Sequence, residues 1–233
     1  MLETNKRVLK ELVKGTMIYK KFYAPWKQYK ENKILSRRRS LLAMNGLELL
    51  KYFNNIMQEE NIPYWLEFGS LLGAYRDHGF IKNDFDFDVG VYLSDARRIY
   101  HALSSNGFEL IREFHVRGEN GLEQTYEYRG VTIDLFYFYT SKNKFICNGF
   151  YNPINQRVGK YFDICVSEFI FERFSTSPIE FLGLTVPVPN NTERHIIEVY
   201  GNGYKIYDPY FTDGFNKIKY PIEEKIGCGY FLR

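Results

Sequence analysis

Between residues 38 and 60 the apolar positions Leu42, Met44, Leu47, Leu50, Phe53, Ile56 and Met57 recur at helical spacing, which predicts an amphipathic helix packed on a core. An earlier helical stretch is expected to break at Pro25. After "NIP", the run "YWLEF" predicts a strand that leads into a small-residue turn at Gly69-Ser70. Ser94 and Asp95 suit a helix N-cap and Gly107 a helix stop, which frames a helix through "DARRIYHALSSN". Alternation returns in "FELIREFHV", a strand, and in "EQTYEYRGVTIDLFYFY", a hairpin turning near Arg129-Gly130. Farther on, "FLGLTVPVPN" predicts a short strand closed by prolines and "TERHIIEVYGNG" a helix stopped at Gly201. This order favours an α+β domain with a mixed or mostly antiparallel sheet flanked by helices.

One stretch carries chemistry within that pattern. "DFDFDVG" sets Asp84, Asp86 and Asp88 at alternate positions. On a strand those carboxylates share one face while Phe85, Phe87 and Val89 take the other. Crowded like charges demand a cation or take up protons, and oxygen donors suit Mg²⁺ or Mn²⁺. The second strand of the Arg129-Gly130 hairpin places Thr132, Asp134 and Phe136 on one face and Ile133, Leu135 and Tyr137 on the other. Asp134 is thus an isolated carboxylate in an apolar strand and needs a partner. His195 and Glu198 form a His-x-x-Glu pair that reads as a surface pair, and His78 reads as exposed.

Composition sets the surroundings. A chain of 233 residues with 45% hydrophobic and 25% charged residues buries a substantial core and lies outside the disordered range. Three scattered cysteines, Cys147, Cys165 and Cys228, exclude a Cys-x-x-Cys zinc site and favour a reducing compartment. The charged N-terminus lacks the apolar core of a signal peptide, and no stretch has the ~18 apolar residues of a membrane span. The expected location is cytoplasmic, with peripheral contact at the inner face of the membrane.

The net charge of +3 is unevenly spread. Residues 1–45 hold 12 Lys and Arg against 3 Glu, and "YKKFYAPWKQYK" and "SRRRS" interleave aromatics with cations. Three readings fit such an arm: a solvated helix face, an anionic membrane surface or lipid-linked acceptor met by residues 1–40, and, least favoured, nucleic acid. The expected division is a basic helical extension over residues 1–37 and one domain over 38–233.

The motifs also resemble a known family. Gly69-Ser70 ahead of Asp86-x-Asp88, with Asp134 on a later strand, is similar to the nucleotidyltransferase fold of the DNA polymerase β superfamily. More narrowly, Gly69 to Arg76, Asp84 to Asp88, Ile133 to Phe136 and Tyr200-Gly201 resemble the LicD and fukutin family of phosphotransferases, whose members carry G-[ST]-L-L-G-x-x-R, an Asp-rich strand, an "IDLF"-like strand and a late "YG". Where many members read Ile-Pro-Trp-Asp-Asp-Asp, this chain has Ile81-Lys82-Asn83-Asp84-Phe85-Asp86.

The resemblance implies transfer of phosphocholine or an alditol phosphate from a CDP-linked donor to a hydroxyl of a glycan or lipid-linked glycan, with CMP released. Phosphoryl-type transfer needs charge neutralisation and in-line placement, which metal-holding carboxylates supply. Asp86, Asp88 and Asp134 are the expected catalytic and metal residues, with Asp134 either a ligand or the base for the acceptor hydroxyl. Gly69, Ser70, Arg76, Asp84 and Tyr200 are the expected substrate-binding residues, the Gly69-Ser70 backbone N–H groups meeting phosphate and Arg76 acting as a clamp. An NTP-dependent nucleotidyltransferase and a catalytically silent metal- or partner-binding module are the alternatives.

Overall fold

A computed structural model describes residues 24–82, 84–154, 161–206 and 219–232. The first helix, α1, runs unbroken from Ala24 to Glu59. Pro25 lies in its first turn, where a missing N–H breaks no helical hydrogen bond; the residues before Ala24 lie outside the described ones. α1 also runs straight through residues 37 and 38, where the extension was expected to meet the domain. It buries Leu42, Leu49, Leu50, Phe53, Ile56 and Met57. Asn61 closes it in the left-handed region, with φ 51°, and the Ile62 N–H donates to Met57 O at 2.8 Å.

Next, β1 (Tyr64–Leu66) pairs antiparallel with β2 (Asp86–Tyr92). Between them the chain forms a short helix, α2 (Phe68–Leu72), which widens into a π-helical turn over Gly73–Asp77 and ends at His78 with φ 50°. The expected turn at Gly69-Ser70 is therefore the first turn of a helix. The Glu67 carboxylate caps it by accepting the Phe68 N–H at 3.3 Å. Glycine at 73 allows close approach, since a Cβ there would sit 2.6 Å from Gly79 O.

A 3₁₀ turn, Leu93–Asp95, precedes α3 (Ala96–Ser105). The strands β3 (Glu109–Val116), β4 (Leu122–Tyr128), β5 (Val131–Ser141), β6 (Lys144–Pro153) and β7 (Tyr161–Glu172) follow. The segment expected as one strand at Phe181–Asn190 is instead a hairpin of β8 (Thr176–Phe181) and β9 (Leu184–Pro189). Leu182 and Gly183, both at positive φ, make its two-residue turn. Then come α4 (Thr192–Tyr200) and β10 (Lys219–Phe231).

Eight strands form one sheet in the order β1-β2-β5-β4-β3-β10-β7-β6, and β6 also pairs with the far end of β5, so β5, β4, β3, β10, β7 and β6 close into a ring. Among these pairings only β2–β5 is parallel. The fold is α+β, a large mixed sheet flanked by helices. On one face of β2 and β5, Phe87, Val89, Val91, Ile133, Leu135 and Tyr137 pack into a core shared with α1, α3 and the β8–β9 hairpin. The other face of the same two strands carries the aspartates.

β1 is held on this edge by its pairing with β2 and by Trp65, which packs edge-on against Tyr92, Phe138 and Phe174. A Cβ at Gly90 would meet the Trp65 indole at 2.2 Å, and Trp65 is fully buried beneath Phe138 and Phe174. Gly90→Ala should lower stability by about 1–3 kcal/mol, read as a fall in the urea midpoint at unchanged m-value. An unchanged midpoint would show that the indole is free to move.

Candidate active site

The carboxylate face is ordered by strand register. Asp88 lies opposite Asp134, Asp134 opposite Thr125, and Thr125 opposite Arg112, so four side chains from β2, β5, β4 and β3 stand in one row. Asp86 lies opposite Thr132 in the adjoining row.

Each aspartate has its own support. Asp88 Oδ2 accepts the Gly69 N–H at 2.9 Å, and the Asp88 N–H donates to Ser70 Oγ at 2.8 Å. Glycine at 69 leaves room for carboxylates, since a Cβ there would lie 3.0 Å from Asp88 Oδ2 and 3.2 Å from Asp84 Oδ2. Gly69 and Ser70 thus brace Asp88, and in this arrangement the Gly69 donor expected at a phosphate is engaged by that carboxylate. Phe68 just before them has φ 40°, a conformation unfavourable for a residue with a Cβ; packing on Phe136 and Phe169, with ring centroids at 4.6 and 5.4 Å, holds it there.

Asp86 Oδ2 accepts from the Arg38 guanidinium at 3.3 Å, and Arg38 also donates to Thr132 Oγ1 at 2.6 Å. Asp134 Oδ2 accepts from Arg112 at 3.1 Å, while Arg112 reaches Glu123 Oε1 at 3.4 Å. Asp84 departs from the expected strand. It sits in the turn before β2, its N–H bonded to Ile81 O at 3.0 Å and its Oδ1 accepting the Phe85 N–H at 3.0 Å. Regular alternation begins only at Asp86, so Phe85 lies on the site side, under the Arg38 guanidinium at 4.3 Å, instead of in the core.

Burial and crowding favour the protonated forms of Asp84, Asp86, Asp88 and Glu123. Burial, then the charges of Asp134 and Asp84, push Asp86 up to about 8 against the pull of Arg38. Burial and the neighbouring aspartates raise Asp88 well above the usual carboxylate range, and burial raises Asp84. Glu123 is pushed up to about 8 by burial, with Asp134 adding to it and Arg112 opposing.

Asp84, Asp88, Arg112 and Glu123 line a cavity of about 990 Å³, and Asp134 and Thr125 complete the row between Asp88 and Arg112. Arg39, Arg76, Lys82 and Arg112 bring positive charge to it, and Phe114, Phe136, Phe150, Tyr151 and Phe169 form an aromatic wall. Arg76, the expected clamp, is held by Asp77 at 2.7 Å through both Nε and Nη2 and by Tyr204 O at 2.9 Å. Tyr200 lines the same cavity, and burial beside Asp88 and Asp84 raises its hydroxyl pKa. The sequence pattern missed Arg38, Arg112 and Glu123. The only local signal for Arg112 is a cation at an alternate position between Leu110 and Phe114 in a strand otherwise suited to a core.

His195 is not part of a surface pair. It is fully buried, its Nε2 2.7 Å from Glu67 Oε1 and its ring stacked on Phe171 at 4.4 Å, whereas Glu198 bonds Arg194 at 3.0 Å. His78 is exposed.

Among the described residues no group of three or more His, Cys, Asp or Glu side chains is gathered as a metal-ligand set. Asp86 and Asp134 are each turned toward an arginine instead. The donor chemistry nevertheless fits a hard divalent cation. Asp134 Oδ1 is buried with no hydrogen-bond partner, and Asp86 and Asp88 carry repulsion that a cation would relieve.

A mixed sheet with paired aspartates at a helix-capped Gly-Ser is the framework of a nucleotidyltransferase domain. Residues 61–191, more than half of the chain, match the family model of the LicD/FKTN/FKRP nucleotidyltransferase domain. The chain belongs to this family. It is 30% identical over 161 residues to the mouse ribitol-5-phosphate transferase FKTN, covering 68% of this chain and 33% of that protein. To the human FKTN it is 27% identical over 190 residues, covering 81% and 39%. To the human ribitol 5-phosphate transferase FKRP it is 26% identical over 162 residues, covering 67% and 31%. The chain thus spans roughly a third of the length of these curated relatives. A solved lincosamide antibiotic adenylyltransferase, LnuA, aligns over 72% of this chain and 93% of its own at 13% identity and a TM-score of 0.42.

The electrostatics predict a pH dependence in metal-free buffer. A carboxyl with a folded pKa raised above its unfolded value stabilises fully at low pH, and that contribution is lost as pH rises through the folded pKa. Asp86 sets the window from about 4 to about 8, and Asp84, Asp88 and Glu123 shift in the same direction. The melting temperature in EDTA should therefore fall between pH 5 and pH 9, and Asp86→Asn should flatten the fall. A wild-type protein equally stable across that range would refute the crowding of these charges.

Proposed function

We propose that the chain transfers a phosphate-bearing group, of the phosphocholine or alditol phosphate type, from a CDP-linked donor to a glycan hydroxyl, in a reaction dependent on Mg²⁺ or Mn²⁺. The observation that carries this reading is the row Asp88–Asp134–Thr125–Arg112, with Asp86 beside it, whose two ends, Asp88 and Arg112, line a cavity with cationic side chains. Membership of a family whose relatives include named ribitol-5-phosphate transferases supports the group transferred.

Asp86 and Asp88 would hold the cation, and Asp134 keeps its unpartnered Oδ1 for the acceptor's proton. When bound, that cation supplies charge neutralisation at the diphosphate. The protein's own groups do the remainder. Gly69 and Ser70 fix the rotamer and backbone of Asp88. Arg39, Arg76 and Lys82 offer positive charge to the donor's phosphates, and Arg112 places a guanidinium beside Asp134 where negative charge accumulates during transfer. The bond formed joins the acceptor oxygen to the donor's distal phosphorus, and the bond broken is that phosphorus to the bridging oxygen, which leaves with CMP. Asp134 takes the proton of the acceptor hydroxyl. The aromatic wall suits the flat or apolar faces of a base or sugar.

The test is release of CMP from CDP-ribitol, CDP-glycerol and CDP-choline with a glycan acceptor, across Mg²⁺ and Mn²⁺ titrations, with NTPs in parallel. Asp86→Asn and Asp88→Asn should each reduce turnover by at least ~10³-fold while the metal-free melting temperature holds or rises. Asp134→Asn should lower the rate by roughly 10²- to 10⁴-fold and flatten the ascending limb of the pH profile. Arg112→Gln should cost about 10²- to 10³-fold in kcat. Pyrophosphate release from an NTP without CMP release would replace this reading with nucleotidyl transfer. Near-normal transfer by both Asp86→Asn and Asp88→Asn would end it.

A further inference from the structure

We propose that the outer face of α1 docks on the surface of an anionic phospholipid bilayer. The inference is independent of the reaction assigned above. α1 has two sides with different tasks. Its inner side carries Leu42, Leu49 and Phe53 into the core, and Arg38 to Asp86. On the opposite side Trp26, Tyr29, Lys30, Lys33, Arg37 and Met44 recur at intervals of three, four and seven residues and all are exposed. Trp26, Tyr29 and Met44 are 51%, 64% and 79% exposed. The Lys30 ammonium lies 3.9 Å from the Trp26 ring centre.

Charge complementarity selects the partner. From Ala24 to Ser40 the chain carries Lys27, Lys30, Lys33, Arg37, Arg38 and Arg39 against the single acidic residue Glu31. A phosphate-bearing surface answers that charge. The exposed indole, phenol and thioether distinguish among such surfaces, because a bilayer takes Trp and Tyr at headgroup depth and the apolar thioether just below it. Duplex nucleic acid reads only the cations of such a stripe. No helix among the described residues is long and apolar enough to cross a membrane, so the contact is one of lying on the surface. A helix lying flat sets Arg38 and Asp86 about one helix diameter, roughly 10–12 Å, from the headgroup plane.

The test uses the full 233-residue chain with vesicles of phosphatidylcholine alone and of equal phosphatidylcholine and phosphatidylglycerol, assayed by co-sedimentation at 50 and 500 mM NaCl. The protein should bind the anionic vesicles at least tenfold more tightly than the neutral ones, and salt should weaken that binding. Each basic residue near such a surface is worth roughly fivefold, so Lys30→Glu/Lys33→Glu/Arg37→Glu should lower partitioning by about a hundredfold or more. Trp26→Ala/Tyr29→Ala should lower the binding that remains at 500 mM NaCl by about tenfold. Melting curves of both variants should match the wild type, because all five side chains lie on the exposed face. Equal binding to both vesicle types, a triple variant that binds like the wild type, or retention of a duplex oligonucleotide without vesicle binding would overturn the proposal.

Discussion

Repulsion among carboxylates on one largely dry sheet face is the constraint that organises this molecule. Neighbouring strands lie about 4.8 Å apart, and at an effective dielectric constant near 20 two carboxylates at about 5 Å repel by roughly 3 kcal/mol. A hydrogen bond to a charged group returns about 1.5–3 kcal/mol, so one shared donor does not balance three aspartates. The structure gives each its own: a backbone N–H for Asp88, Arg38 for Asp86 and Arg112 for Asp134. These supports come from three separate elements, α2, α1 and β3. The cap of α2, the placement of α1 and the register of β3 therefore all bear on the same cluster of carboxylates.

The parallel pair β2–β5 makes that convergence possible. Parallel neighbours need a crossover, and here it consists of α3 and the antiparallel strands β3 and β4. The crossover returns the chain beside β2 and also builds the wall that carries Arg112 and Glu123. A slip of one residue in β5 would send Asp134 into the core and Ile133 or Leu135 to the site, and full burial of both apolar neighbours makes that slip costly. The hydrophobic side of β5 thus fixes the polar side.

Much of this was legible in the chain. The helical period of α1 beyond residue 38, the alternation of β5 and the separation of Asp134 from Ile133 and Leu135 follow from spacing alone, and the Gly69 to Arg76 and Asp84 to Asp88 elements carried the family resemblance. The rest failed for identifiable reasons. Asp84 matches the period of two, but the turn hydrogen bond to Ile81 O delays the strand to Asp86, which no periodicity records. Leu182-Gly183 carries no hairpin signal because leucine is an unusual residue at positive φ. β6 contains Gly149 and ends at Pro153, residues that blur a strand, although the glycine makes room for the Phe169 ring, 2.5 Å from where its Cβ would lie. Arg38 and Arg112 contact residues 48 and 22 positions away, so their roles depend on tertiary pairing.

His195 shows the same limit and adds one more step. A histidine and a glutamate at helical spacing suit a surface pair, yet the partner of His195 is Glu67, a residue 128 positions earlier. The buried Glu67 carboxylate also accepts from the Trp65 indole at 2.7 Å and from the Phe68 N–H. It therefore ties together the edge strand β1, the start of α2 that presents Gly69 to Asp88, and α4, whose last residue Tyr200 lines the cavity. A buried carboxylate with donors from three elements is stable only when all three are in place, since loss of one leaves charge without compensation. The floor and one wall of the cavity are thereby fixed to each other before any substrate enters. Electrostatic stabilisation of phosphoryl transfer depends on such prior placement, because dipoles and charges that are already oriented need no reorganisation as charge moves.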